Sequence, residues 1–137
     1  MFTSKSEIER KKVLFTGIID LLVAFLWWVF SAIYIACGHG KTSSAMVCLI
    51  VPFFTVGMAF LTVGFTKFYK MITLAARCSF NLSAAAISVG MALVGVFEIA
   101  GVPTSDFLIP IWICGLASAV SGVVFLIYNK KNLTEEL

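Results

Sequence analysis

Four long apolar segments, Val13–Cys37, Ser44–Thr66, Cys78–Gly101 and Phe107–Tyr128, alternate with short polar stretches along the chain. Each is long enough to cross a hydrocarbon core, which takes about 20 apolar residues in a helix rising about 1.5 Å per residue. The polar stretches are a head of 12 residues, connectors of 6, 11 and 5, and a tail of 9. None of them can bury enough surface to fold alone. The pattern predicts an all-α integral membrane protein, a single four-transmembrane-helix bundle over residues 1–137 with short loops.

Local signals refine the spans. Ser6 and Glu9 have the spacing of a capping box, so the first helix is expected to start ahead of its apolar part. In the first connector, Gly38 and Gly40 stop one helix and Thr42 or Ser43 caps the next. Pro52 lacks an N–H and is expected to bend the second span near its start. Beyond Thr66, Lys67, Lys70 and Arg77 recur at helical spacing among Phe68, Tyr69, Met71, Ile72 and Leu74. The second helix is therefore expected to continue past the apolar zone and to present these three cations as one face to an anionic lipid or an acidic partner.

Side-chain size separates the spans. The third carries Ser83, Ala84, Ala85, Ala86, Ser88, Gly90, Ala92 and Gly95, and the fourth carries Gly115, Ser118, Ala119 and Gly122. In lipid, apolar burial does not draw helices together, so close approach through small residues is a main source of association. Ser88, Gly90, Ala92, Gly95, Gly115, Ser118, Ala119 and Gly122 are thus expected to pack helix on helix. The first two spans carry bulky faces instead, with Phe25, Trp27, Trp28, Phe30, Phe53, Phe54 and Phe60.

Composition and charge exclude several classes. With 61% hydrophobic and 12% charged residues, the chain departs from soluble domains, in which about a quarter of residues are charged. A cleaved signal peptide is excluded by the 25 residues of the first apolar run, against about 7 to 15 in a signal sequence. Of the ten Lys and Arg residues, Lys5, Arg10, Lys11, Lys12, Lys67, Lys70, Arg77, Lys130 and Lys131 fall on one side of the spans and only Lys41 on the other. Cytoplasmic loops retain such cations, which predicts cytoplasmic N- and C-termini in a plasma (inner) membrane. A net charge of +3 confined to span ends gives no basis for nucleic-acid binding. Cys37, Cys48, Cys78 and Cys114 contain no C-x-x-C pair, although a Cys37–Cys48 disulfide is compatible with the hairpin.

Candidate chemistry is sparse. Asp20 and Glu98 are the carboxylates inside spans, where such groups are costly enough to suggest function. They lie near opposite ends, about 10 Å from one boundary and about 5 Å from the other, and are not expected to meet. Asp20 can bond a hydroxyl on a neighbouring helix, pair with a cation of another subunit, or serve an ion or proton, and Glu98 sits where the helix dipole disfavours an anion. Asp106 reads as a cap of the fourth helix, and His39 beside Cys37 falls short of the three or four ligands of a metal site. With one histidine, no lysine inside a span and no Gly-x-Ser-x-Gly segment, an enzyme is not expected, nor a cofactor. The favoured function is a non-enzymatic subunit or accessory of a larger membrane assembly, with membrane lipid and other membrane subunits or further copies as partners. The alternative is a small homo-oligomeric transporter or channel using Asp20 and Glu98 as ion or proton sites.

Overall fold

The computed structural model describes residues 5–37, 42–103 and 108–135, all of its regular structure being helical. The helices are α1 (Lys5–Cys37), α2 (Ser44–Val47), α3 (Val51–Phe65), α4 (Leu74–Ala100) and α5 (Ile109–Glu135), with 3-10 turns over Cys48–Ile50 and Lys67–Met71. Together they provide four helices long and apolar enough to cross a membrane: α1, α2 with α3, α4 and α5. Helices suit such sequences because every backbone N–H and C=O finds its partner within the segment. Expectations for Gly38, His39, Gly40, Lys41 and Asp106 lie outside the described residues.

Caps explain most of the boundaries. Ser43 holds the start of α2 by accepting from the Met46 N–H at 3.3 Å. Pro52 stands at the start of α3, directly after the 3-10 turn. Its missing donor and ring clash oppose an unbroken helix there, so the expected bend takes the form of a tightened turn. Ser6 lies inside the first turn of α1, and Glu9 forms an ion pair with Lys12 at 2.8 Å. The four cysteines are free and exposed.

The expected extension of the second helix does not form. Thr66 turns extended, with φ −99° and ψ 174°, and its hydroxyl accepts from the Phe68 N–H to start the 3-10 link. Thr73 then caps α4 through the Ala76 N–H at 3.2 Å. The third membrane helix consequently starts at Leu74, ahead of Cys78, and Arg77 belongs to its first turn. At the far end Gly101 adopts φ +72°, and its N–H and that of Val102 close on the Glu98 and Phe97 carbonyls. That left-handed turn is open to glycine without penalty.

Two antiparallel pairs form the bundle. α4 and α5 meet through glycines: a Cβ built on Gly90 would lie 3.2 Å from the Trp112 ring, on Gly115 3.0 Å from Ile87, and on Gly122 3.0 Å from Phe80. α1 and α3 approach more closely still, since a Cβ on Gly17 would lie 3.0 Å from the Gly57 carbonyl oxygen and one on Gly57 3.1 Å from that of Gly17. The bulky residues of the first two spans thus conceal a glycine contact between backbones. Ala24, Phe53 and Ala84 join α1, α3 and α4 in the core, with Trp27 and Ile50 packed against them.

Because the obstacle at Gly57 is backbone, a larger side chain must push the helices apart. Gly57→Leu is expected to destabilise the bundle by about 1–3 kcal/mol or more, measured by denaturant unfolding of the protein in detergent micelles. Unchanged stability would show that α1 and α3 do not meet at this point.

Candidate functional site

The buried positions of α1 recur every three or four residues at Val13, Gly17, Asp20 and Ala24, and again two turns on at Ser31. This spacing forms one inward seam, and it carries Asp20 into the interior, where the residue is 2% exposed. On α4 the corresponding seam is Arg77, Ala84, Ser88 and Gly95, with half-buried Asn81 between the first two. The two seams run in parallel, Arg77 touching Thr16 and Ala84 sharing the core cluster with Ala24. Asp20 lies one turn from both Thr16 and Ala24, so it stands at the level of Asn81.

Arg77 reaches inward, only 8% exposed, and its Nη1 donates to Thr16 Oγ1 at 3.4 Å. The Thr16 hydroxyl in turn donates to the Lys12 carbonyl at 2.9 Å. The guanidinium thus meets α1 at Thr16, one helical turn before Asp20, and Thr16 spends its own donor on the α1 backbone and not on the carboxylate. Asp20 Oδ2, Arg77 Nε, Asn81 Oδ1 and Ser88 Oγ are buried without a protein hydrogen-bond partner among the described residues. Such atoms are rare in folded proteins and costly in an apolar interior. No ion pair offsets that cost at Asp20 or Arg77 among the described residues.

A second polar cluster lies toward the other end of α4. The Ser43 hydroxyl donates to the Glu98 carboxylate. Ser31 Oγ donates to the Met46 carbonyl at 2.7 Å, and fully buried Met46 enters the space left by Gly95. This cluster ties α1, α2 and α4 together. Glu98 is 17 residues beyond Asn81 on the same helix, about 25 Å along its axis, so Asp20 and Glu98 belong to separate sites.

The cationic face expected from Lys67, Lys70 and Arg77 is corrected by these positions. Lys67 and Lys70 are exposed on the 3-10 link, whereas Arg77 is buried on α4. The physical reason is the pair of threonine caps, which separate three residues that one continuous helix would align. Of the small residues, Gly90, Gly115 and Gly122 serve the α4–α5 contact, Ser88 and Gly95 are buried, and Ala92, Ser118 and Ala119 are half-buried.

Asn81 is the site residue that sequence reasoning missed, and Arg77 enters there only as part of the cationic face. Their signal was present in the spacing of 77, 81, 84, 88 and 95, which places all five on one helical face. Compared with known proteins, the chain matches no family model, no curated protein and no solved structure.

The contact between Arg77 and Thr16 should appear as an energetic coupling. Thr16→Val and Arg77→Gln together should cost less than the two single losses summed, by about 0.5–1.5 kcal/mol. Denaturant unfolding of the four proteins of this cycle measures the coupling; strict additivity would separate the residues.

Proposed function

We propose that the protein is a non-enzymatic integral membrane bundle that works as a subunit or accessory of a larger membrane assembly. Its polar groups support this reading because they act as ties within the bundle. Ser43 holds Glu98, Ser31 holds the Met46 carbonyl, Arg77 holds Thr16, and Asn129 Nδ2 donates to the Lys70 and Met71 carbonyls at 3.1 Å each. The observation that carries most weight is Glu98: one of the two carboxylates a two-ended ion path requires is fastened to the start of a neighbouring helix. Outside, α5 is the least covered of the four long helices and turns Ile113, Leu116, Val120 and Ile127 outward. In this reading those apolar faces meet lipid and other membrane subunits, and both termini are cytoplasmic by the distribution of cations.

A small homo-oligomeric transporter is the second reading, and the unpartnered buried oxygen of Asp20 favours it. An intramembrane carboxylate is a functional candidate by default. The two readings differ in what the purified chain does alone.

Gentle detergent extraction of a tagged chain from its native membrane is expected to yield a stoichiometric complex with one recurring larger membrane protein, which recovers this chain when tagged in turn. Reconstituted alone in liposomes, the chain should pass no ions or protons. A symmetric oligomer without other chains, with a flux that Asp20→Asn abolishes, would replace the first reading by the second. A fluorescent protein fused to the C-terminus should fluoresce, as it folds on the cytoplasmic side; a dark fusion, together with activity of a periplasmic phosphatase fused at the same point in a second protein, would reverse the orientation.

A further inference from the structure

Where α3 ends, the chain makes a short amphipathic element. A 3-10 helix has about three residues per turn, so residues three apart lie on one face. Over Lys67–Met71 this places Phe68 and Met71 together, and Lys67 and Lys70 together on an adjacent face. Phe68 and Met71 line an apolar groove of about 250 Å³, completed by Val63 of α3, Ile72, and Leu126 and Lys130 of α5. Lys130 is the charged member of an otherwise apolar wall. Lys67 and Lys70 are exposed beside it, and neither takes part in an ion pair among the described residues.

The groove lies between the last apolar turns of α3 and α5, where the apolar run of each helix gives way to cations. Its occupant must therefore be apolar along its length and anionic at one end. The charges around the groove are mostly positive: Lys67 and Lys70 on the link and Lys130 and Lys131 on α5, with Glu135 one turn beyond them. Glu9 of α1 lines a neighbouring hollow with Lys70 and is bound to Lys12 at 2.8 Å, and Glu7 is bound to Lys11 at 3.3 Å. A zwitterionic lipid would satisfy the groove but bring no net charge to Lys67 and Lys70. A soluble acidic peptide would answer the lysines but not Val63, Phe68 and Leu126.

We propose that this groove is a binding site for an anionic phospholipid, with part of an acyl chain along Val63, Phe68, Met71 and Leu126 and the phosphate among Lys67, Lys70 and Lys130. Cationic side chains at this level are each worth about fivefold in affinity for anionic lipid. The site is independent of whether the bundle serves an assembly or conducts ions.

The test offers the full chain, purified and delipidated in mild detergent, equal amounts of phosphatidylglycerol and phosphatidylcholine, and counts bound lipids by native mass spectrometry. Phosphatidylglycerol should be retained about tenfold more than phosphatidylcholine. Lys67→Gln with Lys70→Gln should bring the two near parity. Met71→Trp fills the groove without changing its charge and should lower retention of both lipids severalfold. Phe68→Ala, which removes the groove wall at no cost in charge, should do the same; helix content by circular dichroism confirms that each variant is folded. Equal retention of the two lipids by the unaltered protein overturns the proposal, as does a preference that survives loss of both lysines. Retention unchanged in both groove variants also overturns it, because the lysines would then attract lipid from an open surface.

Discussion

The approach of α1 to α3 at Gly17 and Gly57 is the contact from which the remaining geometry follows. Each glycine's missing Cβ is answered by the other's backbone carbonyl, with the Leu21 and Leu61 side chains as close beside it, so main chain meets main chain at this point. In water such a contact would supplement apolar burial. In lipid, which is as apolar as the helix faces, it is a principal source of association. Gly64 makes room instead for the Leu14 side chain, and Gly115 and Gly122 of α5 for those of Ile87 and Phe80. Small residues on each pair bring the large ones of its neighbour inward, and Phe60 and Phe80 meet edge to face between the pairs at 6.4 Å.

Once α1 is fixed at Gly17, the neighbouring positions on its seam have little freedom. Asp20 follows three residues later and is carried into the interior, while Arg77 of α4 reaches Thr16 one turn before it. Removing both charges from solvent is expensive. A hydrophobic pair of similar volume would serve packing as well or better. The polar seam therefore contributes register and orientation between α1 and α4, which apolar seams in lipid specify weakly. At the far end, Ser43, Glu98 and Ser31 do similar work, and their ties bear directly on α2 and the 3-10 turn before Pro52.

Hydropathy made the four long helices legible, because about 20 apolar residues in succession have few alternatives to spanning a membrane. Proline chemistry marked the break at Pro52, and serine chemistry marked the cap at Ser43. The link between α3 and α4 was not legible by the same means. Apolar residues continue through Phe68, Met71 and Leu74, and cation spacing there imitates a helix. Only Thr66 and Thr73 disclose the stops, and threonine inside an apolar run is as compatible with a bond back to its own helix, as Thr55 and Thr62 make. Starting the third span at Cys78 then assigned Arg77 to the end of the second helix, and its contact with Thr16 of α1 could not be seen. Asn81 was hidden differently: read with Ser83 it forms a glycosylation pattern, whereas read with Arg77 and Ser88 it belongs to a helical seam.

The break after α3 thereby divides one group of cations between two physical roles. A continuous helix would have lined up Lys67, Lys70 and Arg77 in the same environment, all able to reach water by extending along the surface. The capped link holds the lysines outside, beside an apolar groove, while the first turn of α4 carries the arginine inside, toward Thr16. The side-chain chemistry fits this division. An ammonium is a compact, strongly hydrated charge suited to a headgroup layer, whereas a guanidinium is more weakly hydrated and offers several donors in a fixed plane. Exchanging the two residue types would place the more strongly hydrated ion where dehydration is greatest. Arg77 also remains at the same end of the bundle as the lysines, so its burial leaves the distribution of cations between the two ends unchanged. The sequence can therefore keep the charge asymmetry that orients a membrane bundle and still use one of its cations to fasten two helices.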